Sequence, residues 1–284
     1  MHSYRTRPDV SVLSDYAEVP GLGFLPVNAF VIHAAQPVVV DTGLGLPDRD
    51  FVASLAEVTD PAGVRWIWLT HPDRDHTGGL FALLEAAPRA RVVTTFAAVG
   101  MMSAEHPLPL NRVYLLNPGQ SLDAGDRRLT GFRPPLFDNP ATVGVLDTSS
   151  GVCFSSDCFG APLPAAALAT GEDAAAVDPG ELRAAQLLWA TVDSSWVHSV
   201  DPVKYAASFG PLHDFAPSAV LSTHLPPVTR DTASLFATLL DAPAPIRSPA
   251  RTRQPSRRCS GRWNPPRAIG GVPPRPSSGV RARP

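Results

Sequence analysis

The sequence predicts an α+β protein in which two packed sheets are flanked by helices. Two observations carry this reading. Short β-branched or aromatic runs recur through the first half of the chain, and apolar residues at helical spacing become commoner towards the end. The 284 residues suffice for one large domain or two small ones, and at 44% hydrophobic residues a full core can form.

The elements follow in order. Val38-Val39-Val40 is a β-branched strand that ends at the turn Asp41-Thr42-Gly43, and Asn28 to His33 is its hairpin partner. A helix is expected over residues 49–58. Val64 to Leu69 is a second buried strand, His71 to His76 the loop leaving it, and Gly79 to Ala86 the next helix. Trp66 and Trp68 alternate along that strand, so one is expected to face the core and the other a helix layer. Strands recur near Val92, Val113 to Leu115, Leu129 to Phe132, Thr142 to Leu146 and Val152 to Phe154. Helices are expected at 180–190 and 202–209. Ala219 to Ser222 is a late strand, and Asp231 to Leu240 a closing helix with Asp231 near its N-cap. No internal repeat is seen.

Composition narrows the function. No apolar run approaches the roughly 18 residues of a membrane span, and the N-terminus lacks the apolar stretch of a secretory signal. Three cysteines do not suggest a disulfide framework. These features lead us to expect a cytoplasmic protein. The net charge of −2 hides an asymmetry: ten arginines and no acidic residue follow Asp241, leaving −12 on the rest. An acidic body argues against nucleic acid as a partner.

Metal-ligand residue types gather at four places, each just after an expected strand or in a loop. They are His71, Asp73, Asp75 and His76; Asp138 in Phe137-Asp138-Asn139-Pro140; Asp157 in Ser155-Ser156-Asp157-Cys158-Phe159-Gly160; and His224 in Ser222-Thr223-His224-Leu225-Pro226-Pro227. A rigid sheet can aim side chains from strand-end loops at one point. Imidazole and carboxylate are standard ligands for divalent first-row metals. Alternate residues of an extended loop point one way, so His71 and Asp73 can share one ion, while Asp75 and His76 turn towards a neighbouring position.

The segment His71-Pro72-Asp73-Arg74-Asp75-His76 resembles the metallo-β-lactamase motif His-x-His-x-Asp-His, with Asp73 in place of the second histidine. Asp41-Thr42-Gly43 resembles that superfamily's early strand-turn signature, Asp157 its bridging aspartate and His224 its last histidine ligand. The resemblance covers roughly residues 9 to 240. An acidic residue at the second position is similar to the flavodiiron branch, whose motif is His-x-Glu-x-Asp-His. The segment from Ser155 to Gly160 is likewise similar to that branch's Ser-Asn-Asp-Ala-Phe-Gly.

The resemblance implies a four-layer αβ/βα sandwich over residues 1–245 and a site for two divalent metal ions. His71, Asp73 and Asp138 would hold one ion. Asp75, His76 and His224 would hold the other, and Asp157 would bridge them. Asp75 is also the expected catalytic carboxylate. Asp138 departs from the branch, which usually places a histidine there. No flavodoxin domain follows, so no flavin is expected. Four carboxylates offset two divalent ions, and so oxygen-rich a set favours iron or manganese, with zinc as the remaining option.

Three functions follow as expectations. The first is hydrolysis of an ester, thioester, lactone or phosphodiester by a metal-bridged hydroxide. The alternative is a non-haem di-iron oxidoreductase or sensor of dioxygen or nitric oxide, which for reductive turnover needs an external electron donor. The third is a metal-bound scaffold without catalysis. In the first two the partner is a small molecule.

Other residues read more plainly. Asp41 suits a structural role or the orientation of a ligand histidine. Thr77, Gly78 and Gly79 suit a tight turn with close backbone packing. Cys153 and Cys158 flank Asp157 and could serve as ligands, but buried free cysteine is the commoner role; His33, His106, His198 and His213 fit no ligand slot. Arg74 could meet an anionic substrate or pair with a carboxylate.

Residues 246–284 are rich in Arg and Pro, so we expect a disordered tail. It also reads as a frameshift product. The chain's only lysine is Lys204, as in a gene rich in G+C. One permitted back-translation of Arg247 to Cys259, read from its third base, gives Phe-Ala-Gly-Pro-Asp-Gln-Ala-Ala-Leu-Glu-Ala-Met, a turn followed by a good helix.

Overall fold

A computed structural model of the chain describes residues 1–244. The expected tail and its frameshift reading concern residues outside that range.

Seven strands form the first sheet in chain order. They are β1 (His2–Arg7), β2 (Val10–Val19), β3 (Gly23–Ile32), β4 (Val38–Val40), β5 (Trp66–Trp68), β6 (Arg91–Thr94) and β7 (Val113–Leu115). The first four pair antiparallel, and β4 to β7 pair parallel. Parallel neighbours need crossovers. These carry helices α1 (Phe51–Ala56), α2 (Arg74–Thr77), α3 (Leu80–Ala86) and α4 (Phe96–Met102). The second sheet contains β8 (Ser121–Asp123), β9 (Arg128–Phe132), β10 (Gly144–Asp147), β11 (Val152–Phe154) and β12 (Ala219–Leu221), in the order β12-β11-β10-β9-β8. Its helices are α5 (Ala166–Ala169), α6 (Pro179–Asp193), α7 (Pro202–Ala207), α8 (Gly210–Phe215) and α9 (Thr232–Leu240).

The period of two along the strands sorts side chains into three apolar layers. Val38, Val40, Trp66 and Trp68 from the first sheet meet Val145, Val152, Phe154 and Leu221 from the second. Between these positions, Val39 and Ile67 point to the other face and pack with Phe51, Leu55, Leu80 and Leu83 of α1 and α3. On the far face of the second sheet, Cys153 and Val220 pack with Tyr205, Phe209, Leu235 and Phe236 of the late helices. The result is the four-layer αβ/βα sandwich.

Three expectations need correction. Trp66 and Trp68 share one face and both lie between the sheets, because residues two apart on a strand point the same way. Asp231 precedes α9 in a left-handed conformation (φ 49°), and its side chain makes no cap bond. The His71 segment is extended only as far as Asp73, since Arg74 already begins the single turn of α2.

Gly78 and Gly79 are indispensable to the turn after α2. A Cβ on Gly78 would lie 2.1 Å from the Gly45 nitrogen, and one on Gly79 2.7 Å from Phe51 Cβ. Gly78 N donates to Gly43 O and Gly79 N to Thr42 O, clamping the metal-motif loop to the turn after β4.

Candidate metal centre

Every residue singled out as a candidate ligand converges on one point at the strand ends. His71 follows β5, and Asp73, Asp75 and His76 lie in and before α2. Asp138 lies on the loop between β9 and β10, Asp157 after β11 and His224 after β12. His71, Asp73 and Asp138 bring ligand atoms within 4.8 Å of one another, and so do Asp75, His76 and His224.

Asp157 lies between these groups. Its Oδ1 is 3.0 Å from His76 Nε2 and 3.3 Å from His224 Nε2, and its Oδ2 is 3.4 Å from His71 Nε2. One carboxylate thus turns a separate oxygen to each group. Asp75 Oδ2 lies 3.7 Å from His76 Nε2 and 3.4 Å from His224 Nε2. Asp73 Oδ2 and Asp138 Oδ1 each lie 3.8 Å from His71 Nε2.

The three imidazoles are fixed from behind. His76 Nδ1 donates to Asp41 Oδ2 at 2.8 Å, and His224 Nδ1 donates to the Pro26 carbonyl at 2.7 Å. His71 is held by a relay: its Nδ1 lies 3.1 Å from Ser156 Oγ, Ser156 Oγ donates to Thr70 Oγ1, and Thr70 Oγ1 donates to Asp41 Oδ2. Asp41 therefore orients His76 directly and His71 through two hydroxyls. Asp41 and Ser156 both adopt left-handed φ values of 57°, a local strain that the surrounding bonds hold in place. So engaged at Nδ1, each ring turns its Nε2 inwards.

Those inward nitrogens supply a test of metal fit. His71 Nε2 and His76 Nε2 are buried and make no hydrogen bond. A buried polar atom without a partner is costly. Both face carboxylates, as donors around a cation would. The titration pattern agrees. Burial opposes charge at His76 and His224, yet Asp41, Asp157 and Asp75 hold His76 well above its usual value. Asp157 and Asp75 likewise push His224 up to about 9. Burial, helped by Asp157, Asp193 and Asp73, pushes Asp138 up to about 8. A dinuclear cation site would relieve this crowding of carboxylates, and the donor set of three imidazoles and four carboxylates fits one.

Three features escaped the sequence. Asn139 Nδ2 donates to Asp73 Oδ1 at 2.9 Å, so a residue read as part of a turn steadies a candidate ligand. Ser156 and Thr70 form the relay. Asp193, the last residue of α6, brings a carboxylate within 4.8 Å of those of Asp138 and Asp157. One signal for α6 was available in the sequence. Gln186, Trp189 and Asp193 fall at helical spacing, which puts them on one face. Arg74 is exposed at a cleft of about 410 Å³ beside Asp73 and Asp75, also lined by Met101 and His106.

With this geometry in place, comparison with known proteins gives the class. The family described as the metallo-beta-lactamase superfamily matches residues 22–187, more than half of the chain. The chain belongs to that superfamily. The relatives it resembles within it are flavodiiron proteins. The anaerobic nitric oxide reductase flavorubredoxin of Aeromonas hydrophila is 28% identical over 134 residues, which cover 47% of this chain and 27% of that protein. The protein so described from Pectobacterium atrosepticum is 26% identical over 148 residues, covering 52% of this chain and 28% of the relative. The chain thus spans only 27% of the first relative's length.

Among solved structures, the flavodiiron protein from Giardia intestinalis superposes with a TM-score of 0.70 at 15% identity, over 85% of this chain and 59% of that one. Rubredoxin oxygen:oxidoreductase from Desulfovibrio gigas superposes with a TM-score of 0.67 at 16% identity, over 84% of this chain and 61% of that one. At these identities the superpositions speak to the fold. No helix among the described residues is long and apolar enough to cross a membrane.

Proposed function

We propose that this chain is a di-iron oxidoreductase domain that acts on dioxygen or nitric oxide with electrons from a separate donor. The observation that carries the reading is Asp157, whose two oxygens face the two ligand groups separately. The donor set supports iron: Asp73 stands where hydrolase-type members place a histidine, and oxygen-rich sites suit iron or manganese better than zinc. The relatives support redox chemistry, since they are described as a nitric oxide reductase and an oxygen oxidoreductase.

In this reading His71, Asp73 and Asp138 hold one iron, Asp75, His76 and His224 the other, and Asp157 both. Two bound irons would supply the electrons for reducing a diatomic molecule. The chain's own residues fix the site in advance. Asp41, Pro26 O and the Ser156–Thr70 relay keep each Nδ1 protonated and each Nε2 free. Such outer contacts matter for metal affinity by roughly 10–100-fold. Asp75, with 29% of its side chain exposed, lines the cleft together with the more exposed Asp73.

A second reading, hydrolysis of an ester, thioester, lactone or phosphodiester, draws on the same cleft. Its volume of about 410 Å³ would admit more than a diatomic molecule, and exposed Arg74 would meet an anionic group. The relatives and Asp73 rank it second. Metal analysis of the purified full chain, with an absorption spectrum in air, separates the two. Two irons with oxo-bridge bands and no turnover across ester and phosphodiester substrates support the di-iron reading. Zinc or manganese with hydrolytic turnover would overturn it.

A further inference from the structure

We propose that Asp193 is an eighth ligand residue of the centre, completing the coordination of the ion that His71 and Asp138 face. The inference rests on the dinuclear reading above and adds a residue from a helix that no motif covers.

The oxygens of Asp138, Asp157 and Asp193 lie within 4.8 Å of one another. Ligands at about 2.1 Å from one ion are separated by at most about 4.2 Å, so the set closes by roughly half an ångström. A second observation concerns two of the same three carboxylates. His71 Nε2, on a side chain only 1% exposed, has no hydrogen-bond partner. It lies 3.8 Å from Asp138 Oδ1 and 3.4 Å from Asp157 Oδ2.

The α6 helix is anchored so that Asp193 arrives there. Gln186 Nε2 donates to Phe159 O beyond Asp157. Trp189 packs on Gly160, where a Cβ would lie 2.6 Å from the indole, and meets the His224 ring edge-on at 5.2 Å. One turn later the helix ends at Asp193.

The carboxylate has little other support. Ser194 Oγ donates to it, and among the described residues no Lys, Arg or His lies within ion-pair distance. A half-buried carboxylate facing two others is stabilised by taking up a proton or by a nearby cation. The departure at Asp138 explains why this chain would use one. Aspartate reaches less far than the histidine usual at that position, and the Asp193 carboxylate, within 4.8 Å of that of Asp138, supplies a further donor.

The test uses the full-length chain stripped of metal and titrated with Co²⁺ alone, against a competing chelator. The wild type should bind two equivalents. Asp193→Asn should retain one with unchanged affinity, bind the second at least about 10-fold more weakly, and show an altered visible spectrum for it. In an Asp138→His background the same change should cost less, because imidazole then supplies the missing reach. Thermal melting checks the fold, and Asp193→Ser serves if Asp193→Asn does not fold. Two equivalents bound by the variant with wild-type affinity and spectrum would overturn the role of Asp193 alone. A wild type that takes up no second ion would overturn the dinuclear reading itself.

Discussion

Asp157 is the residue on which the centre turns, because it turns one oxygen to each ligand group. Asp157→Ala should therefore lose metal at both positions, whereas His224→Ala should lose mainly one ion. Metal analysis after gel filtration checks this, and two equivalents retained by Asp157→Ala would contradict the bridge. At this scale much of the centre was legible. Each of the seven candidates is a strong ligand type at a strand end, and their chain order matched a known pattern. What was not legible depends on three-dimensional approach. Asp193 comes from a helix distant in sequence. Ser156 and Thr70 act only because the two sheets bring the β5 and β11 loops together. A second residue-scale prediction concerns His33, whose Nε2 lies 2.8 Å from Ser11 Oγ. Burial first, then Arg5 and Arg127 against the pull of Asp9, hold it below its usual 6.5. The folded state thus prefers the neutral ring. Its contribution to stability is present above pH 6.5 and lost as pH falls through the lowered folded value. His33→Gln should show a smaller drop in urea midpoint between about pH 7.5 and about pH 5 than the wild type. An equal drop would remove His33 from the account.

At the scale of elements, the decisive piece is the clamp between the turn after β4 and the turn after α2. Gly45 sits at φ 63°, with Gly78 so close that neither position has room for a Cβ. Gly78→Ala should cost roughly 1–3 kcal/mol, the usual range for overpacking, and should shift Asp75 and His76 together. Chemical denaturation with metal analysis reads both effects, and a variant of wild-type stability and metal content would contradict the clamp. The central strands were readable because β4, β5 and β11 are buried on both faces and so appear as unbroken apolar runs. β1 was not, since its residues His2 to Arg7 are polar and half exposed. α4 was obscured for a different reason: Phe96 is 73% exposed and Met101 44%, so its apolar residues do not mark a core face. The misreading of Trp66 and Trp68 came from the strand period itself, which puts alternate residues on one side.

For the molecule as a whole, sheet and site form one design. The parallel strands β4 to β6 and the β11–β12 pair all deliver their loops to the same edge, and the inter-sheet core holds the two edges in register. The fold alone leaves hydrolysis and redox chemistry open, since function resides in the site. Asp73, the oxygen-rich donor set and the described activities of the relatives tilt the balance to redox. The chain covers 27% of the first of those relatives, so electron delivery is part of the proposal. The most direct test of the central claim loads the full chain anaerobically with Fe²⁺, removes unbound iron, and follows dissolved dioxygen or nitric oxide after mixing. The account predicts rapid loss of at least one gas together with oxidation of the bound iron, and loss of that reaction in Asp157→Ala. Protein that holds two irons yet consumes neither gas faster than the same concentration of free Fe²⁺ would contradict it.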